Sequence, residues 1–281
     1  MSVIDTKAWL LSYFKKCQSA SRHSLYELQS KTLVEPIESY VPDMYAEELL
    51  YHLHQNGLFQ PGEWRRIEAV VKDMDKGKVW EIIKKEFQRL KNEWNGPDIP
   101  VFIFPIKHGD KPLQQRTIKK NGLALKQGIF LFISSDHPAT ELKAIFAHEY
   151  HHACRMHALD LDDQTLALKD LLVLEGLAEC AVKDHYGEKW LAPWTSLYTY
   201  EEVESVWQKQ FKSALSNTDP DHQYRLMYGK KLSRFPKWIG YNIGYQIVQD
   251  YLDQQNHSDH RKLLKEPADT IIKESKFDEG A

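Results

Sequence analysis

Residues 148–152 read His148-Glu149-Tyr150-His151-His152, the pattern H-E-x-x-H. On a helix of 3.6 residues per turn, His148 and His152 project from nearly the same face, one turn apart. Two imidazole nitrogens so placed can take adjacent positions on a tetrahedral zinc ion. Glu149 lies beside them, where it can act as base toward a water activated by the metal. The alternative is a solvated helix face that happens to carry histidines. The context favours the metal: the apolar strand candidate Ile129-Phe130-Leu131-Phe132-Ile133 precedes a helix bearing the motif in its middle.

Such a site needs a third protein ligand. The metzincin pattern requires Gly at position 155 and His at position 158. This chain has Arg155 and Ala158, and His157 stands one residue short. A second helix offers Leu174-Glu175-Gly176-Leu177-Ala178-Glu179. Glu175 and Glu179 again lie four apart, on an otherwise apolar stretch where carboxylates are costly to bury without a cationic partner. Glu175 is therefore assigned as the third zinc ligand. Glu179 is assigned as acceptor for the free N–H of a ligand histidine, fixing its tautomer. The competing reading is two solvent-facing glutamates.

Further along, Gly240 and Gly244 give one helix a small face that permits close packing on another helix. Tyr241 and Tyr245 lie four apart there, and a Tyr hydroxyl or His imidazole can stabilise a developing oxyanion. Tyr241 is the first candidate, Tyr245 the second and His222 a distant third. Against this, both tyrosines can be core aromatics with satisfied hydroxyls. His151 and His157 fall off the ligand face. Arg155 reads as structural, pairing with a carboxylate such as Glu179 or with substrate. Cys154 and Cys180 read as small buried residues. His52 and His54, two apart, suggest no second metal.

His148–His152 followed by Glu175 resembles the thermolysin-like gluzincins, in which a later Glu completes the site. Three segments resemble the YjaZ-type family of predicted zinc-dependent proteases more closely. They are His148-Glu149-Tyr150-His151-His152-Ala153-Cys154-Arg155, then Glu175-Gly176-Leu177-Ala178-Glu179, then Pro236-Lys237-Trp238-Ile239-Gly240-Tyr241-Asn242-Ile243-Gly244-Tyr245-Gln246-Ile247-Val248. The resemblance covers roughly residues 100 to 255. It implies a zincin fold and peptidase chemistry, with Zn2+ as cofactor and a peptide or protein as substrate. In that chemistry Glu149 takes the proton of the attacking water and passes it to the leaving amine. A different class of reading is a metal-binding regulator or adaptor on the same scaffold with little or no proteolysis. A closed structural zinc site is the least favoured, because no good fourth ligand is present.

The elements that must position these residues are mostly helical. The first third reads as helices, one of them from about Val79 to Trp94 with apolar residues at helical spacing. Asn95-Gly96-Pro97-Asp98 breaks it. Ile99–Phe104 and Gly128–Ile133 read as strands of a small sheet. Asn121-Gly122 reads as a turn, and Lys119, Lys120 and Lys126 as a solvated loop. The segment Gly128–Ser134 is a candidate docking edge for extended substrate. Helices are expected near Leu166–His185, Tyr200–Leu215 and Trp238–Gln254, with a peripheral tail after Lys265. The fold class is α+β, mainly α: a zincin-like metalloprotease fold with a small β-sheet, an H-E-x-x-H helix and a helical C-terminal half. Residues 1–98 form an N-terminal helical region and 99–281 the metalloprotease domain.

Composition narrows the function classes. The 281 residues are 42% hydrophobic and 27% charged, an ordinary globular balance. Lys+Arg is 37 against 40 Asp+Glu, a formal charge of −3, which argues against nucleic acid as partner. No apolar run approaches the roughly 20 residues needed to span a bilayer, so no membrane partner is expected. Residues 1–17 read as an amphipathic helix rather than a signal peptide. Three cysteines without short spacings point to a reducing compartment, the cytoplasm.

Overall fold

The computed structural model describes residues 3–41, 45–107, 120–162, 165–229, 236–255 and 259–278. It is mainly helical with one small mixed sheet, in agreement with the α+β reading. The principal helices are α1 (Thr6–Cys17), α2 (Ala46–Asn56), α3 (Trp64–Lys76), α4 (Val79–Trp94), α5 (Ala139–Ala158), α6 (Leu168–Tyr186), α7 (Pro220–Tyr228), α8 (Ile239–Gln255) and α9 (Ala268–Lys273). The strands are β1 (Val101–Pro105), β2 (Lys120–Leu125) and β3 (Gly128–Ile133). No helix among the described residues is long and apolar enough to cross a membrane. Contacts divide the chain into two units, Met1–Ala153 and Cys154–Ala281.

In the first unit the sheet order is β1-β3-β2. β3 pairs with β1 in parallel and with β2 antiparallel. Every residue of β1 and β3 is buried, as expected of strands covered on both faces. Phe102, Phe104, Phe130 and Phe132 project into one core with Leu10, Phe14, Leu33, Leu50, Leu53 and Ile67 of the N-terminal helical region. By strand alternation Ile103, Leu131, Gly122 and Ala124 face the other way.

The helix Val79–Trp94 has the limits its spacing predicts. Val79, Ile83, Phe87, Leu90 and Trp94 are all buried. Asn95 ends it in the left-handed region at φ 53°, where its N–H reaches the Lys91 carbonyl. Asn tolerates that conformation better than most residues with a Cβ.

Five expectations are corrected. Asn121-Gly122 is not a turn but part of β2, with Gly122 opposite Leu131, and the reversal falls at Lys126-Gln127. The glycine serves a close approach rather than a turn. Lys120 opens β2 rather than lying in a loop, and Lys119 lies outside the described residues. β3 is the central strand, so its two hydrogen-bonding edges are already used and it cannot be a docking edge. The tail is not peripheral: Ile271, Ile272 and Phe277 are buried, and the Trp207 indole donates to the Phe277 carbonyl at 2.7 Å. Its few apolar residues are concentrated on one side, which a polar average conceals. The helix expected over Tyr200–Leu215 keeps α geometry only to Val206 and continues in a π turn, Trp207–Phe211, and a 3-10 turn, Lys212–Ala214.

In the second unit α6 and α8 cross closely. A Cβ on Gly244 would overlap the Leu172 carbonyl oxygen, and one on Gly176 would overlap that of Gly244 and lie 2.6 Å from Val248 Cγ2. A Cβ on Gly240 would lie 2.6 Å from Met227 Cα. The small face expected around Gly240 and Gly244 is thus a backbone-to-backbone contact.

Candidate metal centre

The motif helix α5 is held by its aromatic face. Phe146 and Tyr150, one turn apart, stack at 5.5 Å, and Tyr150 also stacks on Trp94 at 5.9 Å and meets Phe87 at 5.1 Å. The Tyr150 hydroxyl donates to the Pro97 carbonyl at 2.9 Å. His151 is fully buried, its ring edge-on to Trp94 at 5.3 Å, whereas His157 is exposed. At the start of the helix, the His137 ring lies 3.0 Å from Ser134 Oγ and 2.9 Å from Glu141 Oε2. These contacts fix both the rotation and the axial position of α5.

That rotation turns His148 and His152 away from the aromatic slab and toward one another. Their Nε2 atoms lie 3.0 Å apart, with the rings edge-to-face. Burial, and secondarily the neighbouring His148, hold the His152 imidazole well below the usual histidine range. It is therefore neutral at pH 7, the form that ligates metal. Glu149 is only 8% exposed. Its side chain lies against the backbone of β2: a Cβ on Gly122 would overlap Glu149 Oε1, Cδ and Cγ.

Glu175, on α6, completes a group in which His148, His152 and Glu175 each offer one ligand atom, all within 4.8 Å of one another. The donor set is two imidazoles and one carboxylate, the combination of a catalytic zinc site with a position left open. The spacing also suits zinc. Two bonds of about 2.0–2.1 Å meeting at a tetrahedral angle span about 3.3 Å, close to the observed nitrogen separation. It is the only such group among the described residues.

The remaining residues singled out by sequence have definite places. Glu179 is buried and accepts from the Ala192 N–H at 2.8 Å. Tyr241 is half-buried between Trp194 at 5.2 Å and Tyr228 at 5.1 Å. The Tyr245 hydroxyl donates to Gln249 Oε1 at 3.3 Å, and burial pushes its pKa above the usual tyrosine range. Gln249 also receives the Lys183 ammonium at 3.0 Å. His222 lies on α7, partly buried. Cys154 and Cys180 are buried and form no disulfide.

Arg155 departs from its expected partner. It is fully buried, and its two terminal nitrogens donate to the carbonyls of Leu263 at 3.0 Å and Glu266 at 2.8 Å. Burial lowers its pKa to about 10, so it remains charged at neutral pH. Sequence reading missed both these acceptors and Gly122. Backbone carbonyls have no sequence signature, and Asn-Gly is an ambiguous signal within a short strand.

Comparison with known sequences decides the family. Residues 79–273 match the family described as "Predicted Zn-dependent protease (DUF2268)". The chain belongs to this family. The matched span runs from α4 to α9 and so includes the sheet, the motif helix, Glu175 and both candidate tyrosines. Among its relatives, "Uncharacterized protein YjaZ" of Bacillus subtilis (strain 168) is 32% identical over 273 residues, covering 97% of this chain and 98% of its own. "Uncharacterized protein YjfC" of the same organism is 27% identical over 140 residues, covering 47% of this chain and 46% of its own. No solved structure matches the chain significantly.

Proposed function

We propose that the protein is a zinc-dependent metallopeptidase of the gluzincin type, acting on a peptide or protein substrate in the cytoplasm. The observation that carries this reading is the convergence of His148 and His152 with Glu175 in a donor set of two imidazoles and one carboxylate, with Glu149 next to His148 in the chain. Family membership supports it.

His148, His152 and Glu175 would hold the metal. Zinc bound there supplies Lewis-acid activation of water and of the scissile carbonyl. Glu149 accepts the proton of the attacking water and delivers it to the leaving amine, and its burial against β2 holds the carboxylate in one place. Glu179 buttresses the α6 side through the Ala192 N–H and is the proposed partner of a ligand imidazole. Tyr241 is the leading candidate to donate to the oxyanion, because the Tyr245 hydroxyl is already directed at Gln249.

The test is hydrolysis of a peptide library by the zinc-loaded protein, followed by mass spectrometry. Cleavage is expected, with loss on chelation. Glu149→Gln should retain zinc and lose turnover by about 10²–10⁴-fold, the usual contribution of general acid–base catalysis. Undiminished turnover in Glu149→Gln would remove that residue from the base role. Absence of any cleavage would favour the adaptor reading.

A further inference from the structure

We infer that Gly122 is the positioning residue for the Glu149 carboxylate: the bare Cα of β2 forms the seat in which that side chain lies. The catalytic part of this inference rests on the reading of Glu149 as base, whereas the contact itself does not. Gly122 has no turn to make, since it is paired within β2 opposite Leu131. Its φ is not in the left-handed region either. Glycine inside a strand weakens the strand, and its usual justification is the close approach of another group. The approaching group is identified here. A Cβ on Gly122 would overlap three consecutive atoms of Glu149, from Cγ to the carboxylate oxygen Oε1.

Both partners are held, so neither yields easily. Glu149 sits on a helix fixed by the Phe146, Tyr150, Trp94 and Phe87 rings. On the other side, β2 is tied to β3 along its whole length. Its Asn121 side chain also donates to the Asn56 carbonyl at 2.7 Å. A side chain at position 122 must therefore displace the carboxylate rather than the strand. The three atoms nearest the added Cβ all belong to Glu149, so the change acts first on the base, and the variant is expected to keep its metal.

The experiment is a double-mutant cycle of Gly122→Ala with Glu149 substitutions. With the zinc-loaded enzyme and a quenched fluorescent peptide from the library screen, Gly122→Ala should keep about one zinc per chain. It should lower kcat by at least about 10-fold, through loss of the placed base. In the Glu149→Gln background the same change should alter the residual rate by less than about 2-fold. A rate within about 3-fold of wild type for the single variant, or an equal loss in both backgrounds, overturns the inference.

A second arm needs no substrate. Gly122→Ala should lower Tm of the otherwise wild-type protein by about 3 °C or more. Combined with Glu149→Ala, which empties the seat, it should leave Tm unchanged or raise it, because alanine suits a strand better than glycine. The same Tm response in both backgrounds overturns the contact. If no peptide is cleaved but the Tm response depends on Glu149, the peptidase proposal fails and the placement of Glu149 by Gly122 stands.

Discussion

The Nε2 atoms of His148 and His152 stand 3.0 Å apart on successive turns of α5. Helical spacing alone brings the two Cβ atoms only to about 5–6 Å. The further convergence comes from the rings tilting edge-to-face toward a common point. A metal there replaces a contact between two imidazoles by bonds to both. Wild-type protein is expected to bind about one zinc per chain. His148→Ala and His152→Ala should each abolish tight binding, and Glu175→Ala should weaken it strongly. Elemental analysis after dialysis against metal-free buffer measures this. Undiminished zinc in Glu175→Ala would exclude that carboxylate as the third ligand.

Arg155 joins the last turn of α5 to the carbonyls of Leu263 and Glu266. Removing it leaves two acceptors without that donor and opens a cavity. Arg155→Ala should therefore cost about 3 kcal/mol or more. Lysine keeps the charge but not the fork that reaches two carbonyls, so Arg155→Lys should recover less than half. Urea unfolding of the two variants checks both statements.

Gly244 carries the crossing of α6 and α8. Gly244→Ala should destabilise the protein by about 1–3 kcal/mol, the range for overpacking a well-filled contact. Because Glu175 adjoins Gly176 at that crossing, zinc affinity should fall as well. Thermal unfolding and competitive zinc titration report the two effects separately. Stability loss with unchanged affinity would mean that Glu175 does not follow the helix shift.

The three cysteine thiols are buried. Burial pushes the thiols of Cys17 and Cys180 above the usual cysteine range, so neither is a thiolate at pH 8. No thiol is expected to react with a chromogenic disulfide reagent in native protein, and three are expected to react in denaturant. The sign of the linkage follows. A raised folded-state pKa favours folding below the unfolded value near 9 and loses that contribution as pH rises beyond it. Stability should therefore decline above pH 9, less steeply in Cys180→Ala.

Much of the site is legible locally. The H-E-x-x-H spacing specifies a helix face, and Glu175 with Glu179 on an apolar run specifies another. These depend on 3.6-residue geometry and on the cost of burying carboxylates, both of which operate within one element. The limits of α4 and β3 follow in the same way from apolar spacing and from the Asn95 break.

What the tertiary structure decided is which elements meet. A short continuous apolar run marks β3 as a strand but does not name its neighbours, because its central place depends on two partners elsewhere in the chain. Asn121-Gly122 carries a turn signal, yet the absence of a Cβ is used against Glu149, 27 residues away. Arg155 reaches carbonyls about 110 residues distant, and every residue offers a carbonyl. Residue types and short spacings therefore determined the chemistry on offer. Packing over long separations determined where the glutamate is seated and what holds the helices that carry the ligands.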